Sequence, residues 1–433
     1  MMTYEDCLAF LYDSLPMFQR SGKAAYKANL DNTHRLDQLF GFPHRTFKSV
    51  HVAGTNGKGS VCHMLASVFQ EAGYRTGLYT SPHLLDFRER IRINGEMMAK
   101  EEVVHFVEKW QHTLHEISPS FFEMTVAMAF DYFSKMKVDV AIIETGMGGR
   151  LDSTNIIQPE LSIITNISLD HTEFLGSTLQ DIAFEKAGII KQNTPCLSGS
   201  EFPEVNAVIE AVAAEKKSPL ILVEKERKFQ FQTYKPGGSA SFFYKLRGTD
   251  SMTSVETDLT GAYQAGNISI VLSAIGQLNK GNWDLSEEAV QKGLQKVREN
   301  TGIRGRWETL GSNPRILCDT AHNEAGIEAI FLQLKQLPYK NLHIVWGMVS
   351  DKSLDRILKL LPMEARYYFT QASIPRAMPV NILAGKSLEA GLSGGSYLSV
   401  ERAYAAAQEA ADPQDLIFIG GSTFVVADLL ESL

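Results

Sequence analysis

The sequence lacks the features that mark membrane, nucleic-acid-binding and disulfide-stabilised proteins. No uninterrupted apolar run approaches the length that spans a bilayer. No long basic run occurs, and 42 Lys and Arg against 50 Asp and Glu give a net charge of −8, which argues against a nucleic-acid or membrane-surface partner. The cysteines contain no C-x-x-C pair, which is typical of buried thiols in a reducing compartment; they are Cys7, Cys62, Cys196 and Cys318.

The first residues, MMTYEDCLAFLYDSL, also lack the basic region and apolar block of a secretory signal. Their early acids and spaced apolar residues instead predict an amphipathic helix. A cytoplasmic location is therefore expected. With 433 residues, of which 44% are apolar and 21% charged, the chain is long enough for two or three globular domains.

Short apolar runs alternate with helical patterns in the first half of the chain. This alternation predicts an α/β fold with a doubly wound, mostly parallel sheet that is covered on both faces. The predicted strands are residues 47–52, 76–80, 138–144 and 161–165, and the clearest amphipathic helix is 121–136.

The pattern changes over residues 222–258, where aromatic residues surround the turn Pro236-Gly237-Gly238 and predict a small antiparallel side sheet. Helical patterns return over 261–297, and the polar stretch 299–305 is predicted as a linker. Further strands at 315–318, 342–346, 366–370 and 416–419 predict a smaller, Rossmann-like domain. The expected division is 1–298 and 299–433.

A glycine-rich loop after the first strand predicts phosphate binding, because glycine backbones bring N–H groups onto phosphate oxygens and a lysine adds charge. A plain βα turn is the simpler alternative, and the loop alone says nothing about the reaction. It differs from the usual G-x-x-x-x-G-K-[ST] pattern, so the hydroxyl for magnesium must come from Ser60 or from elsewhere. The loop consists of Gly54, Thr55, Asn56, Gly57, Lys58, Gly59 and Ser60.

Polar residues at the ends of other predicted strands are candidate metal ligands. Glu144 ends an apolar strand, where a carboxylate can hold Mg²⁺, although a surface acid is the alternative. Ser81 offers a hydroxyl but on its own is more typical of a turn. His171 by itself would be a loop residue, and Lys186 an ordinary helical lysine.

Seven motifs occur in the order found in one family. They are G-T-N-G-K-G-S, S-P-H-L, E-T-G-M-G-G-R-L-D-S-T-N, S-L-D-H-T-E-F-L-G, F-E-K-A-G-I-I-K, R-G-R-W-E and D-T-A-H-N. From about residue 25 to its end, the chain resembles the folylpolyglutamate/dihydrofolate synthases of the Mur ligase superfamily. Peptidoglycan-building relatives generally carry a hydroxyl residue where this sequence has Gly59, which favours the folate branch.

The resemblance implies ATP and two Mg²⁺ ions, with Gly57, Lys58, Gly59 and Ser60 around the ATP phosphates. Ser81 and Glu144 would bind the first ion. Glu144, His171 and Lys186 would surround the second, with Lys186 carbamylated by CO₂ so that it offers oxygen ligands. K⁺ is a further candidate cofactor. The implied catalytic residues are Lys58, Glu144, His171 and Lys186.

The resemblance also implies contacts for the nucleotide and for the small-molecule substrates. Asn267, Arg306, Asp319 and His322 match nucleotide contacts, the last three in the C-terminal domain. The pterin would contact Arg35, in a segment (30–36) that departs from the family's L-G-L-x-R-I pattern, and also Leu151 and Asp152. Gly421 and Ser422 match the glutamate side.

The implied reaction joins L-glutamate to dihydropteroate or to the γ-carboxylate of folates through an acyl phosphate, in a protein that is expected to be a monomer. Whether the chain makes dihydrofolate, extends folates or does both is left open by the sequence. One alternative is a Mur-type ligase that adds an amino acid to a UDP-sugar. Another is a nucleotide-gated switch, which would have no use for Glu144, His171 and Lys186, and a purely structural role is the weakest.

Overall fold

A computed structural model describes residues 2–15, 29–235, 238–350 and 354–433. These residues form two compact units, Met1–Asp258 with Gln264–Gly302, and Leu259–Tyr263 with Ile303–Leu433. The predicted α/β fold class is confirmed, since a mostly parallel sheet, a small antiparallel sheet and a second α/β sheet are all present. The assignment of functional domains to 1–298 and 299–433 stays a prediction.

Within the described ranges, the first unit contains an eight-stranded sheet of order β4-β3-β2-β5-β1-β6-β7-β8. Its central strands are parallel and buried on both faces, while β3 and β4 run antiparallel at one edge. The short strands β3, β4, β7 and β8 were not predicted. The strands are β1 (Lys48–Ala53), β2 (Thr76–Tyr79), β3 (Ile91–Ile93), β4 (Glu96–Met97), β5 (Val140–Glu144), β6 (Leu161–Ile164), β7 (Cys196–Ser198) and β8 (Leu220–Leu222).

Helices cover this sheet. The predicted helix at 121–136 forms as α5, which a capping box between Ser120 and Glu123 starts. The helices are α1 (Tyr4–Ser14), α2 (Asp31–Leu39), α3 (Lys58–Glu71), α4 (Lys100–Ile117), α5 (Phe121–Lys135), α6 (Thr172–Leu175), α7 (Leu179–Ala187), α8 (Pro203–Glu215), α9 (Gln264–Leu278), α10 (Glu287–Gln295) and α11 (Val297–Thr301), with 3₁₀ helices at Pro43–Arg45, Phe87–Arg90, Ser153–Ile156 and Val223–Lys225.

Two apolar clusters belong to this unit. One joins α1, α4 and α5 to the sheet through side chains such as Phe106, Phe130 and Ile143. The other joins β6 to α7 and α8 through Ile164 and Ile182, among others. Residues 299–301 of the predicted linker belong instead to α11, where Thr301 Oγ1 donates a hydrogen bond to Val297 O.

The small side sheet consists of β9 (Arg227–Tyr234), β10 (Ala240–Leu246) and β11 (Met252–Thr257), all antiparallel. Its aromatic residues pack across strands, with the Phe231 and Phe243 rings stacked at 4.5 Å between centroids. Pro236 and Gly237 of the predicted turn lie outside the described residues.

The second unit contains a sheet of order β12-β13-β17-β14-β15-β16, in which only β12 runs antiparallel. The four predicted strands form, whereas β12 and the glycine-containing edge strand β16 were missed. The strands are β12 (Glu308–Ser312), β13 (Arg315–Cys318), β14 (Leu342–Trp346), β15 (Arg366–Thr370), β16 (Gly394–Tyr397) and β17 (Leu416–Gly420); the helices are α12 (Glu324–Leu334), α13 (Leu354–Leu358), α14 (Val380–Glu389), α15 (Val400–Ala410) and α16 (Thr423–Glu431). In the part of the chain that the structure describes, no helix is both long and apolar enough to cross a membrane.

Candidate active site

The order β2-β5-β1-β6 places the carboxyl ends of four parallel strands side by side. Ser81 follows β2, Glu144 ends β5, Gly54 follows β1 and Thr165 follows β6. In open α/β sheets, ligands bind at this edge. The sheet therefore brings together candidate residues that lie far apart in the sequence.

The glycine loop fills the gap between β1 and α3, and two of its glycines cannot be replaced without movement. A Cβ at Gly54 would lie 1.9 Å from Thr165 Oγ1, and one at Gly57 would lie 2.2 Å from Asn267 Oδ1. Gly57 also has a φ of +86°, which side chains disfavour. The loop is thus tightly enclosed, with Asn267 directly beside it.

Residues after β6 hold the loop from one side. Thr165 Oγ1 donates to Asn56 O at 2.6 Å, while Asn166 accepts from Thr55 N through its backbone O and from Asn56 N through its side-chain Oδ1. The amides of Thr55 and Asn56 are therefore engaged. The first-turn amides of α3, which have no partner within their own helix, are the donors that suit a phosphate.

Two lysines converge on this loop. Lys58 Nζ donates to Gly54 O at 3.1 Å and to Thr55 O at 3.2 Å, and Lys186 Nζ donates to the same Gly54 O at 2.8 Å. Lys186, on α7, is buried. Burial in the first place, and the Lys58 charge in the second, lower its pKa to about 7. A substantial fraction of Lys186 is therefore the neutral, nucleophilic amine near neutral pH.

Glu144 and Ser81 are neighbours, as the predicted shared metal site requires. The carboxylate of Glu144 is 4% exposed, and its Oε2 accepts from Ser81 N at 3.1 Å. Mg²⁺ commonly takes one or two carboxylates together with water and substrate phosphates, so this pair fits such an ion. Among the described residues, no group of three His, Cys, Asp or Glu side chains could hold a metal.

His171 lies at the start of α6 in the left-handed conformation, with φ +50°. Its backbone N donates to Asp170 Oδ1 at 2.9 Å. The Asp170 charge opposes the lowering of the Lys186 pKa. The segment that carries His171 thus extends close to Lys186.

Helix α9 contributes a residue that sequence reasoning missed. Gln264 Nε2 donates to Ser60 Oγ at 3.2 Å, and Gln264 Oε1 accepts from Asn267 Nδ2 at 2.7 Å. Both α9 side chains are buried. Gln264 could have been found from its spacing, since it lies one helical turn before Asn267 on the same face.

Asp152 fastens the turn that follows Glu144. Its Oδ2 accepts from Gly146 N at 2.8 Å and Met147 N at 2.9 Å. Its Oδ1 accepts from Thr154 N at 3.0 Å and Thr154 Oγ1 at 2.5 Å. Burial raises the pKa of this carboxyl. These four bonds make Asp152 the link between the turn formed by residues 145–152 and the 3₁₀ helix that follows it. The turn carries residues predicted to contact the acceptor substrate and is called the acceptor turn.

The other predicted acceptor contacts lie around this turn. Leu151 is half-buried within it, and Gly146 lies so close to Phe122 that a Cβ would approach its ring to 2.4 Å. Arg35 is exposed on α2, which contacts the 3₁₀ helix Ser153–Ile156 directly after the turn.

In the second unit, the predicted nucleotide residues surround the end of β13. Asp319 Oδ2 accepts from Trp307 N and from Tyr263 Oη, both at 2.7 Å. Burial raises the Asp319 pKa, opposed by the Arg306 charge. His322 Nδ1 lies 3.0 Å from Thr320 O.

Ser422, predicted on the glutamate side, is buried and caps α16. Its Oγ accepts from Phe424 N and Val425 N, each at 3.2 Å. Its contact with glutamate stays a prediction.

Comparisons with known proteins point to one family. Residues 52–275 match the Mur ligase middle domain, and residues 305–423 match the Mur ligase glutamate ligase domain. A dihydrofolate synthase/folylpolyglutamate synthase of Bacillus subtilis is 34% identical over 86% of each chain. A probable bifunctional folylpolyglutamate synthase/dihydropteroate synthase of Haloferax volcanii is 32% identical over 99% of this chain, which spans about half (50%) of that protein's length.

Solved structures agree with these sequence matches. Escherichia coli FolC in complex with DHPP and ADP superposes with a TM-score of 0.85 at 27% identity, covering 99% of this chain and 97% of that one. A folylpolyglutamate synthase of Thermotoga maritima gives a TM-score of 0.81 at 31% identity, covering 99% and 96%.

Proposed function

Because the chain belongs to the dihydrofolate synthase/folylpolyglutamate synthase family of Mur ligases, we propose that it is an ATP-dependent ligase for L-glutamate. The acceptor is dihydropteroate, the γ-carboxylate of a folate, or both. The observation that carries the proposal is the convergence of Lys58 and the buried Lys186 on Gly54 O, beside Glu144 and Ser81. A plain nucleotide switch does not need the second lysine.

ATP is held by the glycine loop in this proposal. The first-turn amides of α3 and the Lys58 ammonium meet the phosphate oxygens. Asn267 contacts the nucleotide from α9, with Gln264 holding its side chain. On the second unit, Arg306, Asp319 and His322 are proposed ATP contacts, and Ser422 lies at the glutamate side.

Glu144 and Ser81 would hold one divalent metal ion, and Glu144, His171 and a modified Lys186 would hold a second. The ions would supply positive charge that stabilises the phosphoryl group during transfer. An ammonium cannot ligate a cation, whereas the pKa of about 7 leaves much of the Lys186 amine neutral. The neutral Nζ would add to CO₂ and release one proton, and the resulting carbamate would offer oxygen ligands. K⁺ is a further proposed cofactor.

The reaction runs in two transfers. A carboxylate oxygen of the acceptor attacks the γ-phosphorus of ATP, and the bond to ADP breaks. The amine of glutamate then attacks the acyl carbon, loses a proton and expels phosphate. Lys58 stabilises the charge on the phosphoryl oxygens, and the acceptor turn positions the carboxylate, with Arg35, Leu151 and Asp152 around the pterin.

The domain roles follow from the same proposal, with ATP binding assigned to residues 1–298 and glutamate ligation to 299–433. The enzyme is proposed to act as a monomer on small molecules. A Mur-type ligase for UDP-sugars is not favoured, because the relatives reported above are named for folate chemistry and Gly59 replaces the hydroxyl residue that follows the lysine in peptidoglycan ligases.

The test is ATP-dependent incorporation of labelled glutamate, with dihydropteroate, tetrahydrofolate and a UDP-muramoyl acceptor in parallel, and with Mg²⁺, K⁺ and bicarbonate present. Incorporation into one or both pterin acceptors supports the proposal and names the activity. The variant Lys58→Ala is the control and is expected to be inactive but folded. Incorporation only into the UDP-muramoyl acceptor, or into none, would overturn the proposal.

A further inference from the structure

A buried histidine lies beneath the acceptor turn. His51 is on β1, three residues before Gly54, and is 0% exposed. Its Nε2 lies 2.9 Å from Thr154 Oγ1, and Thr154 Oγ1 lies 2.5 Å from Asp152 Oδ1. These three side chains form a continuous chain of hydrogen bonds, the His51 relay, from the strand that leads into the glycine loop to the carboxylate that holds the acceptor turn.

The direction of the relay follows from counting protons. Burial raises the Asp152 pKa, but the hydrogen bonds from Thr154, Met147 and Gly146 oppose that shift. Both carboxyl oxygens act only as acceptors in these bonds, which suits the ionised form. Thr154 has one hydroxyl proton and donates it to Asp152. It can therefore only accept from His51, so His51 Nε2 carries the ring proton.

This tautomer leaves His51 Nδ1 as a buried nitrogen with no partner in the described structure. Burial, helped by the Lys191 charge, lowers the His51 pKa to about 3, so the ring stays neutral over the working pH range. A buried nitrogen without a hydrogen bond destabilises the folded protein. The bond from Nε2 to Thr154 accounts for it here, because that bond fixes the tautomer in which Nδ1 carries no proton.

We propose that His51 and Thr154 are positioning residues, which hold Asp152 and thereby shape the acceptor turn for the pteroate or folate substrate. This inference rests on the proposed function. Neither side chain is placed in contact with ATP or with the reacting atoms. They act through Asp152, whose other oxygen fixes the amides of Gly146 and Met147.

Loss of the relay should weaken binding of the acceptor substrate and leave ATP binding largely unchanged. The glycine loop has its own supports, since Thr165 and Asn166 bind its backbone directly. The relay, by contrast, ends on Asp152. Loss of the relay is therefore expected to loosen the turn while the phosphate loop keeps its shape.

Two pairs of variants test whether the relay supports acceptor binding but not ATP binding. Thr154→Val keeps the shape but removes the hydroxyl, and His51→Leu removes the donor. Each should raise the KM for the acceptor by up to about tenfold, in line with the loss of one hydrogen bond, and change the KM for ATP less than about twofold. Thr154→Ser and His51→Gln restore a hydroxyl and a donor near the Nε2 position, and both should recover most of the acceptor affinity.

Lys191→Met is the matched structural control. Lys191 Nζ donates to Asn155 O at 2.6 Å and so fastens the same 3₁₀ helix through a hydrogen bond that is not one of the relay's. Its charge is only the smaller cause of the low His51 pKa, so the ring stays neutral without it. The variant should lower the melting temperature without a selective rise in the acceptor KM. Equal changes in the KM values for ATP and acceptor, no change in either, or failure of the Ser and Gln variants to rescue would overturn the inference. If the wild type ligates glutamate to no acceptor, the proposed function fails as well.

A measurement on the wild-type protein tests the tautomer and the charge of His51 without an activity assay. Histidine-selective ¹⁵N NMR, with the His51 signal assigned by its loss in His51→Gln, should show a neutral ring protonated at Nε2 from about pH 5 to 8. Protonation at Nδ1, or titration of the ring within that range, would overturn the inference.

Discussion

Replacing Gly57 by alanine should damage the nucleotide site by an amount that the structure lets us work out. At its φ of +86° a side chain costs about 1–2 kcal/mol. The new Cβ would lie 2.2 Å from Asn267 Oδ1, so Asn267 must move and its 2.7 Å hydrogen bond to Gln264 is lost. That loss adds about 0.5–1.5 kcal/mol. The total of roughly 1.5–3.5 kcal/mol corresponds to about 10- to 300-fold weaker nucleotide binding if it falls on the binding conformation.

The assay is calorimetric titration of an ATP analogue with Mg²⁺, together with the melting temperature. Gly266→Ala is the matched control, because Gly266 lies on α9 beside Asn267 and a Cβ there meets nothing within 4 Å. A helical glycine replaced without a clash should stabilise the protein by about 0.5–1 kcal/mol and leave binding unchanged. Wild-type nucleotide affinity in Gly57→Ala would refute the reasoning, since the loop would then not be the phosphate site.

Three further predictions concern the same site. Glu144→Gln should raise the Mg²⁺ concentration for half-maximal activity about 10- to 100-fold, and an unaltered magnesium titration would argue against a ligand role. Asn166→Ala removes the acceptor for Asn56 N and should weaken ADP binding about 2- to 10-fold, whereas unchanged binding would mean that the loop needs no support there. Lys186 has a pKa of about 7 in the folded protein and 10.5 as a free lysine. Between these two pH values, Lys186 is therefore protonated in the unfolded chain and neutral in the folded protein. In buffers free of CO₂ and metal, wild-type stability relative to Lys186→Met should be constant below about pH 7 and rise towards pH 10.5; a difference independent of pH would contradict the shift.

The phosphate loop and the ligands at strand ends could be predicted from the sequence, because each is marked by a pattern within one short stretch of chain. A buried strand followed by Gly54 and Lys58 predicts strand, loop and helix within one stretch of chain. Glu144 ends an apolar run, and its position at the carboxyl edge follows from the parallel sheet. The resemblance added Lys186, whose burial and low pKa no local pattern indicates.

The residues that support the site could not be predicted from the sequence, because their hydrogen-bond partners are distant in the chain. Thr165 and Asn166 reach the loop only through the pairing of β6 with β1. The bond between His51 and Thr154 spans 103 positions. Asp152 was predicted from the resemblance as a substrate contact, and only the three-dimensional structure shows its four hydrogen bonds to the turn and to Thr154 in the 3₁₀ helix after it.

The missed strands have a similar cause. β16 begins with Gly394 and Gly395, which disfavour strands locally, and it forms because β15 offers an edge to pair with. β12 is an antiparallel edge strand with a register shift between Thr309 and Gly311. In both strands tertiary pairing overrides the local preference.

The most direct test of the account is the fate of the oxygen atoms in the acceptor carboxylate. The acceptor, dihydropteroate or a folate, is labelled with ¹⁸O in the reacting carboxylate, and the phosphate released during glutamate ligation is analysed by mass spectrometry. Attack of that carboxylate on the γ-phosphorus predicts one ¹⁸O atom in each phosphate released. Phosphate without ¹⁸O, while labelled product still forms, would contradict an acyl phosphate and with it the mechanism assigned to Lys58, Glu144 and Lys186.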